Sequence, residues 1–208
     1  RFTDNGLCRY DGTRVLPYRI AENGMSQYVS ALLAFDDNIF LGTERGVFRF
    51  DPVGSRFDRL PLDITSIVTH LSIDKEGQLW ASTSSQGAWC YSLKTGQQHH
   101  YSLPQCGEQV AQVFIDNANQ VWTVSNTGGQ CVSRLNRLHD RFEPVALSFP
   151  DNYSALRMLQ TRDGRLWIGS WENGLLLMHS DGRLEQMLSP ATAKVGSHIH
   201  TLYEQIDE

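Results

Sequence analysis

The side chains best suited to hold a ligand cluster around one tryptophan. Trp171 is followed directly by Glu172 and Asn173. A flat aromatic ring can cover the apolar face of a sugar while a carboxylate and an amide bond its hydroxyls. Tyr153, Arg45 and Asn126 are further candidate contacts in connecting segments. Two histidine pairs bear on metal chemistry. His198 and His200 would place both rings on one face of a strand, but no third ligand accompanies them. His99 and His100 are adjacent, so a strand would point them to opposite faces. No metal and no cofactor is therefore expected. No carboxylate pair can be placed at one bond and no set of arginines converges, so no catalytic residue is assigned.

The elements that position these residues come from a repeat. Ile39-Phe40-Leu41-Gly42-Thr43 returns as Leu79-Trp80-Ala81-Ser82-Thr83, Val121-Trp122-Thr123-Val124-Ser125 and Leu166-Trp167-Ile168-Gly169-Ser170. The aromatic positions 40, 80, 122 and 167 are separated by 40, 42 and 45 residues. Thr43-Glu44-Arg45-Gly46-Val47-Phe48-Arg49-Phe50-Asp51 matches Thr3 to Asp11, so the chain opens within a repeat. His198 to Glu204 reads like the first strand of another copy.

Each copy holds four strand-like runs, A to D, separated by turn residues. Asp-x-x-Gly and Arg-Asp-Gly mark the A–B hairpins. Gly46, Gly87, Gly129 and Gly174 open strand C, where positive φ is expected after a tight turn. Four strands in a period of 40–45 residues is the pattern of a β-propeller blade, so the fold class is all-β. Residues 1–208 read as one partial propeller, with repeats at 29–62, 66–104, 109–148 and 154–189 and partial repeats at 1–20 and 197–208.

A lone four-stranded blade cannot bury both faces, so blades must stack. Trp80, Trp122 and Trp167 are expected to be buried against neighbouring blades, and Asp74, Asp116 and Asp163 to cap the A–B hairpins. Strand alternation puts the B–C turns and D–A connections on one face, away from the A–B turns. Trp171, Arg45, Asn126 and Tyr153 all belong to that first face.

Composition narrows the functions. The formal net charge is −5, without a basic stripe of the kind that binds nucleic acid. No apolar run approaches the roughly 18 residues of a membrane span. The four cysteines, at 8, 90, 106 and 131, lack metal-ligand spacing and are expected to be free, half-buried thiols. A start at Arg1 suits a piece of a longer polypeptide.

Arg165-Leu166-Trp167-Ile168-Gly169-Ser170-Trp171-Glu172-Asn173-Gly174-Leu175 resembles the two-component regulator propeller repeat, and Thr3 to Asp11 is nearly as good a copy. The copy at 110–135 departs most, with Val124-Ser125 for Gly-Thr and Asn119 at a turn glycine. The resemblance implies the periplasmic sensor region of a hybrid two-component histidine kinase, within a propeller of about seven blades. It implies a small carbohydrate ligand, a membrane-anchored parent that forms a homodimer, and no catalysis by this segment. An enzyme of the lyase or glycosidase type is an alternative, because the hairpin at 72–80 is similar to the Asp-box of sialidases. A protein-interaction scaffold is another, although its apolar loop face is not supplied by these polar loops.

Overall fold

The computed structural model describes residues 6–22, 25–26, 28–125, 131–150, 153–171, 173–189, 199 and 201–204. Among them are twenty strands and no helix. Four sheets each hold four antiparallel strands in chain order. Sheet I is β5 (Val29–Phe35), β6 (Asn38–Thr43), β7 (Gly46–Asp51) and β8 (Arg56–Arg59). Sheet II is β9 (Val68–Ile73), β10 (Gln78–Thr83), β11 (Ala88–Ser92) and β12 (Gln98–Tyr101). Sheet III is β13 (Val110–Ile115), β14 (Val121–Ser125), β15 (Cys131–Asn136) and β16 (Arg141–Pro144). Sheet IV is β17 (Ala155–Gln160), β18 (Leu166–Ser170), β19 (Leu175–Met178) and β20 (Leu184–Leu188).

Ahead of these lies the hairpin of β1 (Leu7–Tyr10) and β2 (Val15–Tyr18), the C–D half of a repeat. A two-residue pairing of β3 (Ala21–Glu22) with β4 (Met25–Ser26) follows it, which the repeat did not foretell. The chain forms two compact units, 1–100 and 101–208, and the boundary falls at the end of β12.

Burial follows the stacking requirement. Every residue of β14 is buried, and all of β10 after Gln78, so both faces of these second strands are covered. The outer strands β12 and β20 are mostly exposed. Within the first unit Phe40 packs in one cluster with Val68, Leu71 and Leu79 of sheet II. Within the second, Trp122 packs with Met158, Ile168 and Leu176 of sheet IV. Glycine lets the neighbouring segment come close. A Cβ on Gly42 would lie 2.5 Å from the Val68 side chain, and one on Gly169 would lie 2.7 Å from Ile199.

The turn carboxylates tie the hairpins to the aromatic column. Asp74 Oδ1 accepts the N–H groups of Glu76 and Gln78 at 3.1 and 2.8 Å, and its Oδ2 accepts the Trp80 indole N–H at 3.0 Å. Asp116 repeats this with Gln120 at 2.8 Å and Trp122 at 2.9 Å. Asn119 holds positive φ, 63°, in that turn; Gly77 and Gly164 do so in the flanking sheets. Asparagine tolerates this region better than most residues, which explains its use in place of glycine.

Trp80 and Trp122 are 1% and 7% exposed, as expected. Trp167 corrects the expectation, being only half-buried. Its turn carries Asp163 two residues later than Asp74 and Asp116, so the indole N–H reaches Thr161 Oγ1 instead, at 3.3 Å. Asp163 caps its own turn by accepting the Arg165 N–H. The first strand expected from 198 onward is also absent among its described residues, Ile199 and 201–204. These still lie along sheet IV, since the Ile199 N–H bonds Ser170 O at 2.9 Å and Glu204 accepts the Arg162 N–H at 3.0 Å.

Trp80→Ala should cost about 3–5 kcal/mol, by loss of transfer and packing energy together. Trp167→Ala should cost less, on the order of 2 kcal/mol, because less area leaves water there. Urea denaturation of both variants checks this, and the reverse order would refute the packing column.

Candidate functional site

A hydroxyl at the end of strand B closes the B–C turn in three of the four sheets. Thr43, Thr83 and Ser170 donate to the carbonyls of Gly46, Gly87 and Gly174 at 2.9, 3.0 and 3.1 Å. The same oxygens accept the N–H groups of Arg45, Gln86 and Asn173 at 3.1, 2.8 and 2.7 Å. Each hydroxyl thus closes its B–C turn from both sides. The glycine that follows must hold positive φ, and a Cβ on Gly174 would run into the Leu188 carbonyl.

Trp171 stands immediately after this clasp. Its N–H bonds Ser154 O at 2.9 Å, which fastens the B–C turn to the connection entering β17. The residue is nevertheless 43% exposed, unlike the tryptophans of the packing column. Asn173 lies beside it, with its carbonyl accepting Gln186 Nε2 at 3.1 Å. The Asn173 Oδ1 is withdrawn from solvent with no donor in reach among the described residues. Ser154 and Gln186 were missed by the sequence reading, since their contacts depend on how the connections fold back.

Of the other expected contacts, Tyr153 requires correction. It is fully buried, stacks on Phe149 with centroids 5.5 Å apart, and donates its hydroxyl to Ile168 O at 2.7 Å. Burial pushes its phenol above the usual range. It supports the turn from below and offers no surface to a ligand. Arg45 belongs to the first unit, on the B–C turn of sheet I, and its carbonyl accepts Arg59 at 2.9 Å. Glu172, Asn126, His198 and His200 lie outside the described residues. His100 stacks on Trp89, 4.5 Å between centroids, and its Nε2 pairs with Gln86 O. Among the described residues no group of His, Cys, Asp and Glu could hold a metal ion.

The cysteines also depart from expectation. Cys106 and Cys131 form a disulfide, with Cα atoms 5.3 Å apart, while Cys8 and Cys90 are free. The bond ties the connection entering β13 to the start of β15, on the candidate face. Glu108 holds the same connection by accepting the Ser102 hydroxyl at 2.5 Å and the Leu103 N–H at 3.0 Å. Beside the disulfide is a cleft of about 580 Å³ walled by Leu103, Pro104, Phe142 and Pro144. On its outer wall Glu143 gathers Asn136, His139 and Arg141, which hold its carboxyl down to about 2.

Residues 148–172 match the family model described as two component regulator propeller. This segment is thus similar to a two component regulator propeller repeat. It carries strands A and B of sheet IV and ends at the Trp171 turn. No curated protein matches the chain significantly.

Solved structures reproduce the propeller arrangement at low identity. The extracellular domain of a putative hybrid two component system from B. thetaiotaomicron is 18% identical at a TM-score of 0.75, over 89% of this chain and 25% of that one. Virginiamycin B lyase from Staphylococcus aureus is 14% identical at a TM-score of 0.74, over 93% of this chain and 65% of that one. YCF48 bound to D1 peptide is 15% identical at a TM-score of 0.65, over 89% of this chain and 60% of that one. The chain thus spans about a quarter of the bacteroidal domain. At such identities the likeness establishes an all-β propeller fold, which serves an extracellular domain of a putative hybrid two component system, a lyase and a peptide-bound protein alike.

Unreduced, denatured protein should alkylate at two cysteines of its four, and peptide mapping should recover Cys106 joined to Cys131. Replacing both by serine should cost about 3–4 kcal/mol for a loop of this span. Alkylation at all four would remove the tether.

Proposed function

We propose that the chain is part of a periplasmic sensor propeller of a hybrid two-component histidine kinase. It recognises a glycan-derived oligosaccharide on the face of the B–C turns and passes the signal to a membrane-anchored, homodimeric kinase. The carrying observation is Trp171. It is an exposed indole outside the packing column, held by its backbone to Ser154, within the segment that matches the propeller repeat. A pyranose face is a fitting partner for an indole ring of this exposure. Asn173 and Glu172 supply amide and carboxylate next to it. The disulfide suits an oxidising compartment outside the cytoplasm. Binding, and not turnover, is the activity assigned to the segment.

The likeness to virginiamycin B lyase keeps an enzymatic reading in view. Its residues here would be His198 and His200, which stand two apart in the sequence. Incubation of the full propeller with oligosaccharides and divalent metals should release no product. Turnover abolished by a chelator would favour the lyase reading.

Trp171→Ala should weaken oligosaccharide binding by ~1–2 kcal/mol, the share of an aromatic contact beyond bulk burial. Stability should hardly change, given the exposure of the side chain. Titration calorimetry of both proteins against an oligosaccharide panel measures the difference. Equal affinities for a binding oligosaccharide would move the site off Trp171.

A further inference from the structure

On the opposite face, the second unit carries an arginine whose charge the fold leaves unanswered. Arg134 of β15 is the cross-strand partner of Trp122 on β14, and its guanidinium carbon lies 5.7 Å from the Trp122 ring centroid. The indole N–H is already committed to Asp116, and the ring is buried. Trp122 therefore fixes the guanidinium without consuming its donors. The other cross-strand neighbour, Glu143, is taken by Arg141 at 3.0 Å, His139 at 3.1 Å and Asn136 at 2.9 Å. Among the described residues Arg134 forms no ion pair.

Two clefts, of about 510 and 450 Å³, share Arg134 and Val145 in their walls. The larger adds Leu166, Met178 and the turn His179–Gly182 of sheet IV. The acidic groups of that turn and the adjoining strand are engaged within sheet IV. Glu185 pairs with His179 at 2.9 Å and Arg183 at 3.9 Å. Asp181 accepts the Arg183 N–H at 3.0 Å, and that bond, with the charges of Arg183 and His179, holds its carboxyl below the usual range. The groove thus joins one preorganised guanidinium, unpaired among the described residues, to an apolar wall, with Arg183 beside the two carboxylates at its rim.

We propose that this groove binds a small organic carboxylate. The carboxylate oxygens fork onto Arg134, and the apolar body lies along Val145, Leu166 and Met178. Guanidinium matches carboxylate in a two-pronged geometry that a point charge does not reproduce. The site is separate from the Trp171 face, so the two readings stand or fall independently.

Benzoate tests the class, with benzamide as its neutral isostere and inorganic sulfate as a bare anion. Nitrogen–proton NMR of the labelled chain follows the Trp122 indole and the arginine Nε signals. Benzoate should shift both saturably, and Arg134→Gln should weaken it about tenfold or more, the loss expected for a charge-assisted pair. Because Arg134 is exposed, that variant should melt like wild type. Benzamide should leave the signals unmoved, and sulfate should bind more weakly than benzoate. Absence of saturable benzoate shifts, equal binding of benzamide, or benzoate affinity unchanged in a folded Arg134→Gln would overturn the proposal. Sulfate binding as tightly as benzoate would equally reject the organic class.

Discussion

Sheets II and III each turn on one buried hydrogen bond. An indole N–H withdrawn from water without an acceptor costs about 1–3 kcal/mol, a cost that Trp80 and Trp122 avoid and the buried Trp89 bears. Asp74 and Asp116 supply the acceptor from the turn preceding each strand B, six residues before the ring. The same carboxylates bind backbone N–H groups of the hairpin. One side chain therefore fixes the turn and licenses the burial of the large aromatic that follows. Sheet IV shows what loosens when the acceptor changes. Thr161 offers a neutral hydroxyl at 3.3 Å, and Trp167 is the least buried of the column.

The hairpin ties are at one end of each sheet and the hydroxyl clasps are at the other. Thr43, Thr83 and Ser170 bond both the residue before and the glycine that opens strand C. These clasps need only a hydroxyl and a glycine, so the residues between are unconstrained by packing. That freedom lets Glu44, Ser84 and Trp171 occupy equivalent places. A rigid scaffold with variable turns on one face is the general arrangement for recognition.

Much of the fold was legible in the sequence because its signals are local. The aromatic spacing, the turn glycines and the paired Asp and Trp each follow from residues within a single repeat. Asn119 at a turn glycine could be read as a tolerated left-handed residue, and it is one. The face of the candidate site followed from strand alternation, and Trp171 stands out from the packing column as read. What escaped lies in the D–A connections, which have no period. Tyr153 is buried because the segment before β17 folds inward and stacks it on Phe149. Cys106 meets Cys131 because the connection from β12 passes over β15, a path that neither cysteine's spacing encodes.

Trp167 and Trp171 show how position decides the use of identical chemistry. They are four residues apart, on either side of the Ser170 clasp. Trp167 is in a strand whose pairing with β17 and β19 fixes its direction, and its N–H is taken up inside the repeat. Trp171 has left the ladder, and its backbone N–H is bound to Ser154 O. Its ring is 43% exposed, whereas those of Trp80 and Trp122 are buried. Arg134 is comparable in charge rather than area, since it is positioned on Trp122 and forms no ion pair among the described residues. Both side chains are positioned by local contacts yet left open to water, unlike the tryptophans at the head of the packing column.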